Sequence, residues 1–145
     1  MNRDRVRANT SRRVNRRIDL DMEERVWEYA QASRDVIARR IDELDREWDI
    51  ERIIQTNASV AAMTGLALGI THDKRWFAIP GIVLPFLLLH ALQGWAPPVP
   101  ILRRMGVRTR QEIEREKYAL KALRGDFDFG EGTASVEMAL RAVKA

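Results

Sequence analysis

The chain has 145 residues, enough for one domain and little more. It carries 25 basic and 21 acidic side chains, a net charge of +4, and no cysteine. That absence excludes disulfides, thiol catalysis, persulfide carriage, zinc fingers and iron–sulfur ligation together. With only His72 and His90, a histidine-based metal site would need carboxylates or several copies of the chain.

The charges fall in blocks. Residues 1–17 hold seven Arg and one Asp and show no apolar periodicity, so they are predicted to form a basic, disordered tail. Residues 18–52 reverse the sign, with 12 acids against six Arg. Met22, Val26, Tyr29, Ile37, Ile41, Leu44 and Trp48 recur there at steps of three, four and eight, which predicts an amphipathic cytoplasmic helix. Asp21 with Glu24 resembles a capping box. No Gly or Pro occurs before Gly65, so this helix is predicted to run on into the next segment.

Residues 53–102 hold only three charges: Asp73, Lys74 and Arg75. Two uncharged spans result, Ile53–His72 and Trp76–Leu102. A helix needs about 20 mostly apolar residues to cross the hydrocarbon core. The fold class is therefore an all-α membrane protein built on a two-helix transmembrane hairpin, with spans at about 53–71 and 76–95. In the first span, Ala61, Gly65 and Gly69 lie four apart, the spacing that lets helix backbones approach closely in lipid. Gln55, Asn57 and Thr64 dilute it, and His90 is the ionisable residue of the second span. Such residues are functional candidates by default. A hydrogen bond from His90 to Gln55 or Asn57 across the hairpin is the expected pairing. Pro80 and Pro85 predict a kink. Trp48, Trp76 and Trp95 are candidate interfacial anchors.

The connection Thr71–Arg75 permits only a tight turn, so both arms lie on one side. Five Arg occur in the 20 residues before the first span and five in the 20 after Trp95, which places both termini in the cytoplasm and the protein in the bacterial inner membrane. No cleavable signal peptide is expected.

Pro97, Pro98 and Pro100 are predicted to stop the helix and extend the chain, a Pro-rich exit from the hairpin. The basic residues Arg103, Arg104, Arg108 and Arg110 follow, interleaved with Leu102, Met105 and Val107. A basic-apolar cluster beside a membrane meets lipid head groups or an acidic partner surface. It lacks the aromatic set that nucleic-acid binding requires. Within 103–125, Thr109 and Glu112 form a capping box that opens a helix to about Arg124, which Gly125 ends. Residues 126–145 read as an acidic linker and a short helix, Ser135–Val143, with Val136, Leu140 and Val143 on one face.

Glu47-Trp48-Asp49-Ile50-Glu51-Arg52, His90-Ala91-Leu92-Gln93-Gly94-Trp95, Pro97-Pro98 and Tyr118–Phe127 resemble small bacterial proteins with a YgaP-like transmembrane domain. The resemblance covers roughly residues 45–127. It implies a two-helix inner-membrane domain, sometimes fused to a rhodanese (sulfurtransferase) domain and often standing alone without an established activity. Family members commonly carry Cys where this chain has Ala96, so sulfur chemistry at that position is ruled out here.

No catalytic, phosphate-binding or dinucleotide fingerprint occurs, and the carboxylate pairs of residues 19–51 read as solvated surface charge. The expectation is a protein with no catalysis and no cofactor of its own. It would act by self-association or as an accessory subunit of a larger membrane complex, with lipid and partner protein as its contacts. Two alternatives remain: an oligomeric channel lined by Gln55, Asn57, Thr64 and His90, and a membrane accessory to a sulfurtransferase.

Overall fold

A computed structural model describes residues 4–126 and 140–141. Every regular element among them is helical: α1 (Arg5–Ala8), α2 (Arg12–Tyr29), α3 (Arg34–Arg46), α4 (Ile50–Thr71), a 3₁₀ turn (Lys74–Phe77), α5 (Ala78–Gln93), α6 (Val99–Arg104) and α7 (Arg110–Arg124). The chain divides into two compact units, one built from Met1–Ser11 with Trp48–Thr109 and the other from Arg12–Glu47 with Arg110–Ala145.

Two stretches in the first unit are long and apolar enough to cross a membrane, one ending at Thr71 and one spanning Lys74–Gln93. Asp49 starts α4, its carboxylate accepting the Arg52 N–H at 2.7 Å. The Ile50 N–H, an orphan of the first helical turn, is taken by the Arg108 carbonyl at 2.9 Å. These bonds explain why the chain breaks between α3 and α4, at Glu47 to Asp49, although no Gly or Pro stands there. The expected continuous helix is thus corrected. At the far end, the Asp73 side chain accepts the Arg75 N–H and opens the 3₁₀ turn that reverses the chain. Gly94 ends α5 with φ 73°, the left-handed conformation that favours glycine. The prolines beyond it do not extend the chain as expected. Pro98 sits in helical geometry and α6 begins at Val99, because a proline costs no hydrogen bond in the first turn of a helix. A small core of Val6, Ile50, Ile54, Ala96 and Val99 closes this unit.

The second unit packs α7 against α2 and α3. Met22, Val26 and Ala119 form one apolar cluster with Leu140. Ile37, Ile41, Leu44, Ile113 and Leu120 form another. The segment expected as one helix over 18–52 is two, α2 and α3, separated around Ser33, whose extended backbone precedes α3. Asp21 lies inside α2, so the capping box read there is not a helix start. Within the tail expected to be disordered, residues 5–8 are helical and residues 12–17 are the first turns of α2. Half-buried Val14 lies one turn before Ile18, Met22 and Val26 and extends their stripe backwards. α7 ends as expected: Gly125 has φ 90° and donates to the Ala122 carbonyl, while Asp126 donates to that of Lys121. The expected last helix, apart from Leu140 and Arg141, lies outside the described residues.

Candidate functional site

The contact between α4 and α5 is built on small residues. Ala62, Gly65 and Gly69 are buried and Ala61 is half-buried. A methyl group placed on Gly65 would stand 2.5 Å from Pro80 Cδ and 2.9 Å from Ile79 Cβ. On Gly69 it would stand 2.7 Å from the Phe77 ring. Of the three sequence-predicted packing residues, Gly65 therefore seats α5 of the same chain and Gly69 seats the 3₁₀ turn before it, and the order of the pairs, Gly65 with Pro80 and Gly69 with Phe77, makes the two helices antiparallel.

Away from that seam the two helices are apolar on the outside. Met63, Ile70, Leu88 and Leu92 are 61–77% exposed. A cavity of about 350 Å³ lies between Ala58 and Ala61 of α4, Val83 and Phe86 of α5, and Pro97 and Pro98. Asn57 contributes to its wall.

The polar candidates do not converge. Gln55, Asn57 and Thr64 are exposed. The Asn57 amide donates back to the Ile53 carbonyl at 2.9 Å. His90 is buried, and its Nδ1 has no hydrogen-bond partner. The expected bond from His90 to Gln55 or Asn57 is thus absent: the Asn57 amide satisfies its own helix instead, and Gln55 is exposed. Among the described residues no group of three His, Asp or Glu could hold a metal ion.

What meets the C-terminus of α5 is the N-terminal segment. Arg5 donates to the carbonyls of Ala91 at 2.7 Å and Leu92 at 3.3 Å, and the Asn9 amide donates to Gln93 at 2.7 Å. These are last-turn carbonyls with no partner inside the helix, and a guanidinium there also complements the helix dipole. Val6 is buried beside them, and Gly94 leaves the room that Arg5 occupies. Asp4 accepts both the Arg7 N–H, at 2.9 Å, and the Thr109 hydroxyl.

The basic cluster of Arg103, Arg104, Arg108 and Arg110 splits in two. Arg103 is 1% exposed, donating to the Thr10 hydroxyl at 3.2 Å and to the Val107 carbonyl at 3.0 Å. Arg108 is buried as well. The sequence expectation of lipid or partner contact is corrected for both: the Arg103 guanidinium ties α6 to Thr10 and Val107, and the Arg108 side chain is buried within the protein. Arg104 is exposed, and exposed Arg110 pairs with Glu114 at 2.7 Å. Trp48, Trp76 and Trp95 are all partly exposed. The Arg52 guanidinium lies 4.4 Å above the Trp48 ring, and Trp95 packs at a tilt on Phe86.

The second unit contains a polar centre that the sequence did not single out. Glu116 is fully buried; its oxygens accept from Arg25 Nε at 3.1 Å and from Arg40 Nε at 3.2 Å and Nη2 at 3.0 Å, and Arg25 Nη2 lies at ion-pair distance, 3.0 Å. Arg40 also reaches Glu43 at 3.0 Å. Burial would lower the Arg40 pKa, but its bonds to Glu43 and Glu116 outweigh that and raise it. The signal was present: Glu116 stands between Ile113 and Leu120 on the helical face that the core requires. Lys117 pairs with Asp45, holding that carboxyl below its ordinary value.

No family model, curated protein or solved structure matches the chain.

Proposed function

We propose that the protein is an integral component of the bacterial inner membrane that acts by association and catalyses nothing itself. α4 and α5 cross the bilayer as a hairpin, and both termini are cytoplasmic. One observation carries the membrane reading. Only 11% of the apolar stretch in Lys74–Gln93 and 22% of the one ending at Thr71 are buried within the protein. The core helix of a soluble protein would be buried on most of its surface, whereas these helices turn Met63, Ile70, Leu88 and Leu92 outward. Lipid covers such a surface at no cost in exposed apolar area. The resemblance to YgaP-like transmembrane domains points the same way.

Association follows from what the two units lack and what they offer. The polar intramembrane residues are dispersed, which disfavours a channel lining. The second unit is a packed helical bundle with charged and aromatic side chains on its surface, as a docking module requires. Arg104 and the exposed Trp residues suit the lipid interface.

Native mass spectrometry from mild detergent, with copurification from native membranes, tests the association. The expected result is a multimer or a stoichiometric partner. A monomer that retains no partner would refute it. Reporter fusions test the topology, and an outside location for either terminus would overturn it.

A further inference from the structure

α2 (Arg12–Tyr29) buries Ile18, Met22 and Val26 on one side. Leu20 points about 160° away from Ile18 and Met22, at about 100° per residue. Within about 60° of Leu20 lie Arg13, Arg16 and Arg17 on its N-terminal side and Glu24 and Trp27 on its C-terminal side. All six are exposed, Leu20 at 55% and Trp27 at 43%. Leu20 stands at the middle of this 18-residue helix. The stripe therefore runs from cations, through a leucine, to a carboxylate and an indole.

We propose that this stripe docks on the same stripe of a second copy of the chain, antiparallel, with the two-fold axis at Leu20. The proposal rests on the association reading and names its partner. Under this axis, residues equally far from position 20 on either side face each other across the two copies. Leu20 meets Leu20, Arg16 of each copy meets Glu24 of the other, and Arg13 of each copy meets the Trp27 ring of the other. Every contact is complementary: leucine on leucine, guanidinium on carboxylate, guanidinium on an aromatic face. A parallel pairing would set Arg against Arg and Glu against Glu. A single patch that complements itself through a two-fold axis is the signature of an isologous dimer.

Charge argues against the other occupants. Glu24, with Asp21 and Glu28 exposed nearby, sets negative charge along the C-terminal half of the stripe, which prevents an anionic lipid surface or a nucleic acid from covering its whole length. Arg17 is held only loosely in the monomer, 4.0 Å from Asp21. The helix is about 27 Å long, short for a free dimer. Confinement of both copies to one membrane raises their effective concentration and compensates for that.

The chain has no cysteine, so a single introduced thiol reports on one position. In native membrane vesicles, full-length protein carrying Leu20→Cys is treated with a short bismaleimide. A covalent dimer is expected. Arg13→Cys and Trp27→Cys should each link weakly alone and efficiently when the two variants are coexpressed. Adding Arg16→Glu to Leu20→Cys sets like charges together at two symmetric places and should cut the dimer yield by roughly tenfold or more. Adding Glu24→Arg as well should restore it.

Absence of the Leu20→Cys dimer, failure of the charge reversal to reduce it, or failure of the double reversal to rescue it overturns the proposal. Linkage of Leu20→Cys to a different protein also overturns it. Native mass spectrometry separates this failure from the wider one. A wild-type multimer without the Leu20 link removes this face and leaves association standing, whereas a wild-type monomer without a partner removes both.

Discussion

Glu116→Ala is the most informative single change in the bundle. It removes the carboxylate that accepts one N–H bond from Arg25 and two from Arg40, with Arg25 Nη2 also at ion-pair distance. Removing one partner of a buried ion pair costs about 3–5 kcal/mol, because the charge left behind is uncompensated. Two features place this case at the lower end. The Arg25 and Arg40 side chains are 31% and 19% exposed, so water rehydrates part of each guanidinium. Arg40 also retains Glu43 at 3.0 Å. The expected loss is about 3 kcal/mol, a large share of the 5–15 kcal/mol typical of a domain.

Hydrogen exchange on the full-length protein in detergent reads this out. Amides of α7 around Ile113 and Leu120 should lose protection by about two orders of magnitude, while those of α4 and α5 should not change. Glu116→Gln keeps the shape but not the charge and should cost about 1–2 kcal/mol. Replacing the whole cluster, with Arg25→Met, Arg40→Met and Glu116→Leu together, should be neutral or stabilising. Unchanged α7 protection in Glu116→Ala would show that the cluster does not hold the bundle. A triple replacement as damaging as the single one would show that shape matters there more than charge.

Gly65→Ala should cost about 1–3 kcal/mol in thermal unfolding, since the added methyl meets the rigid Pro80 ring. Gly69→Ala should cost less, because the half-exposed Phe77 ring can turn aside. Equal effects would refute the backbone seam. Arg5→Ala with Asn9→Ala frees the α5 carbonyls and should accelerate limited proteolysis between residues 4 and 11, whereas Arg104→Ala should not. Asp45 is held below its ordinary 3.8 by its hydrogen bond from Lys117. Its contribution is therefore present above about pH 4 and lost as pH falls through the lowered folded value. Lys117 is raised above 10.5 by the same bond, so its contribution is present below that value and lost as pH rises through the raised one. Lys117→Met should remove both limbs from the pH dependence of bundle stability followed by circular dichroism, and an unaltered profile would refute the pairing.

The two apolar helices were legible because they follow from one local property, the absence of charge over lengths that only a buried or lipid-facing helix explains. α7 was legible because Thr109 and Gly125 mark its ends within a turn of the residues they serve. What escaped depended on partners distant in sequence. The break before α4 is completed by the Arg108 carbonyl, which nothing near Ile50 announces. Pro98 and Pro100 forbid helix interior but permit a helix start, so the same residues fit an extended exit or α6 equally well. Gly65 and Gly69 were recognisable as a place of close approach. Whether the approaching helix belongs to the same chain or another is not encoded in their spacing, and it is Pro80 and Phe77 that decide it.

Arginine was the residue most often misread, and the reason bears on partners. Composition treats each Arg as a surface cation, yet the fold withdraws several of them into three other environments. Arg103 and Arg108 are buried. Arg5 closes a helix end. Arg25 and Arg40 turn toward Glu116. A planar guanidinium with five donors and an apolar stem suits all three. The last pair changes the electrostatics of the acidic segment 18–52, which has six Arg against 12 acids. With two of those six directed at an internal carboxylate contributed by α7, the outer surface of α2 and α3 is more acidic than its composition. The N-terminal turns of α2, with Arg12, Arg13, Arg16 and Arg17 all exposed, are the nearest basic counterpart in the same helix. A helix that carries both signs at opposite ends cannot neutralise itself by folding, since its two ends never meet. Antiparallel pairing with a second copy brings them together.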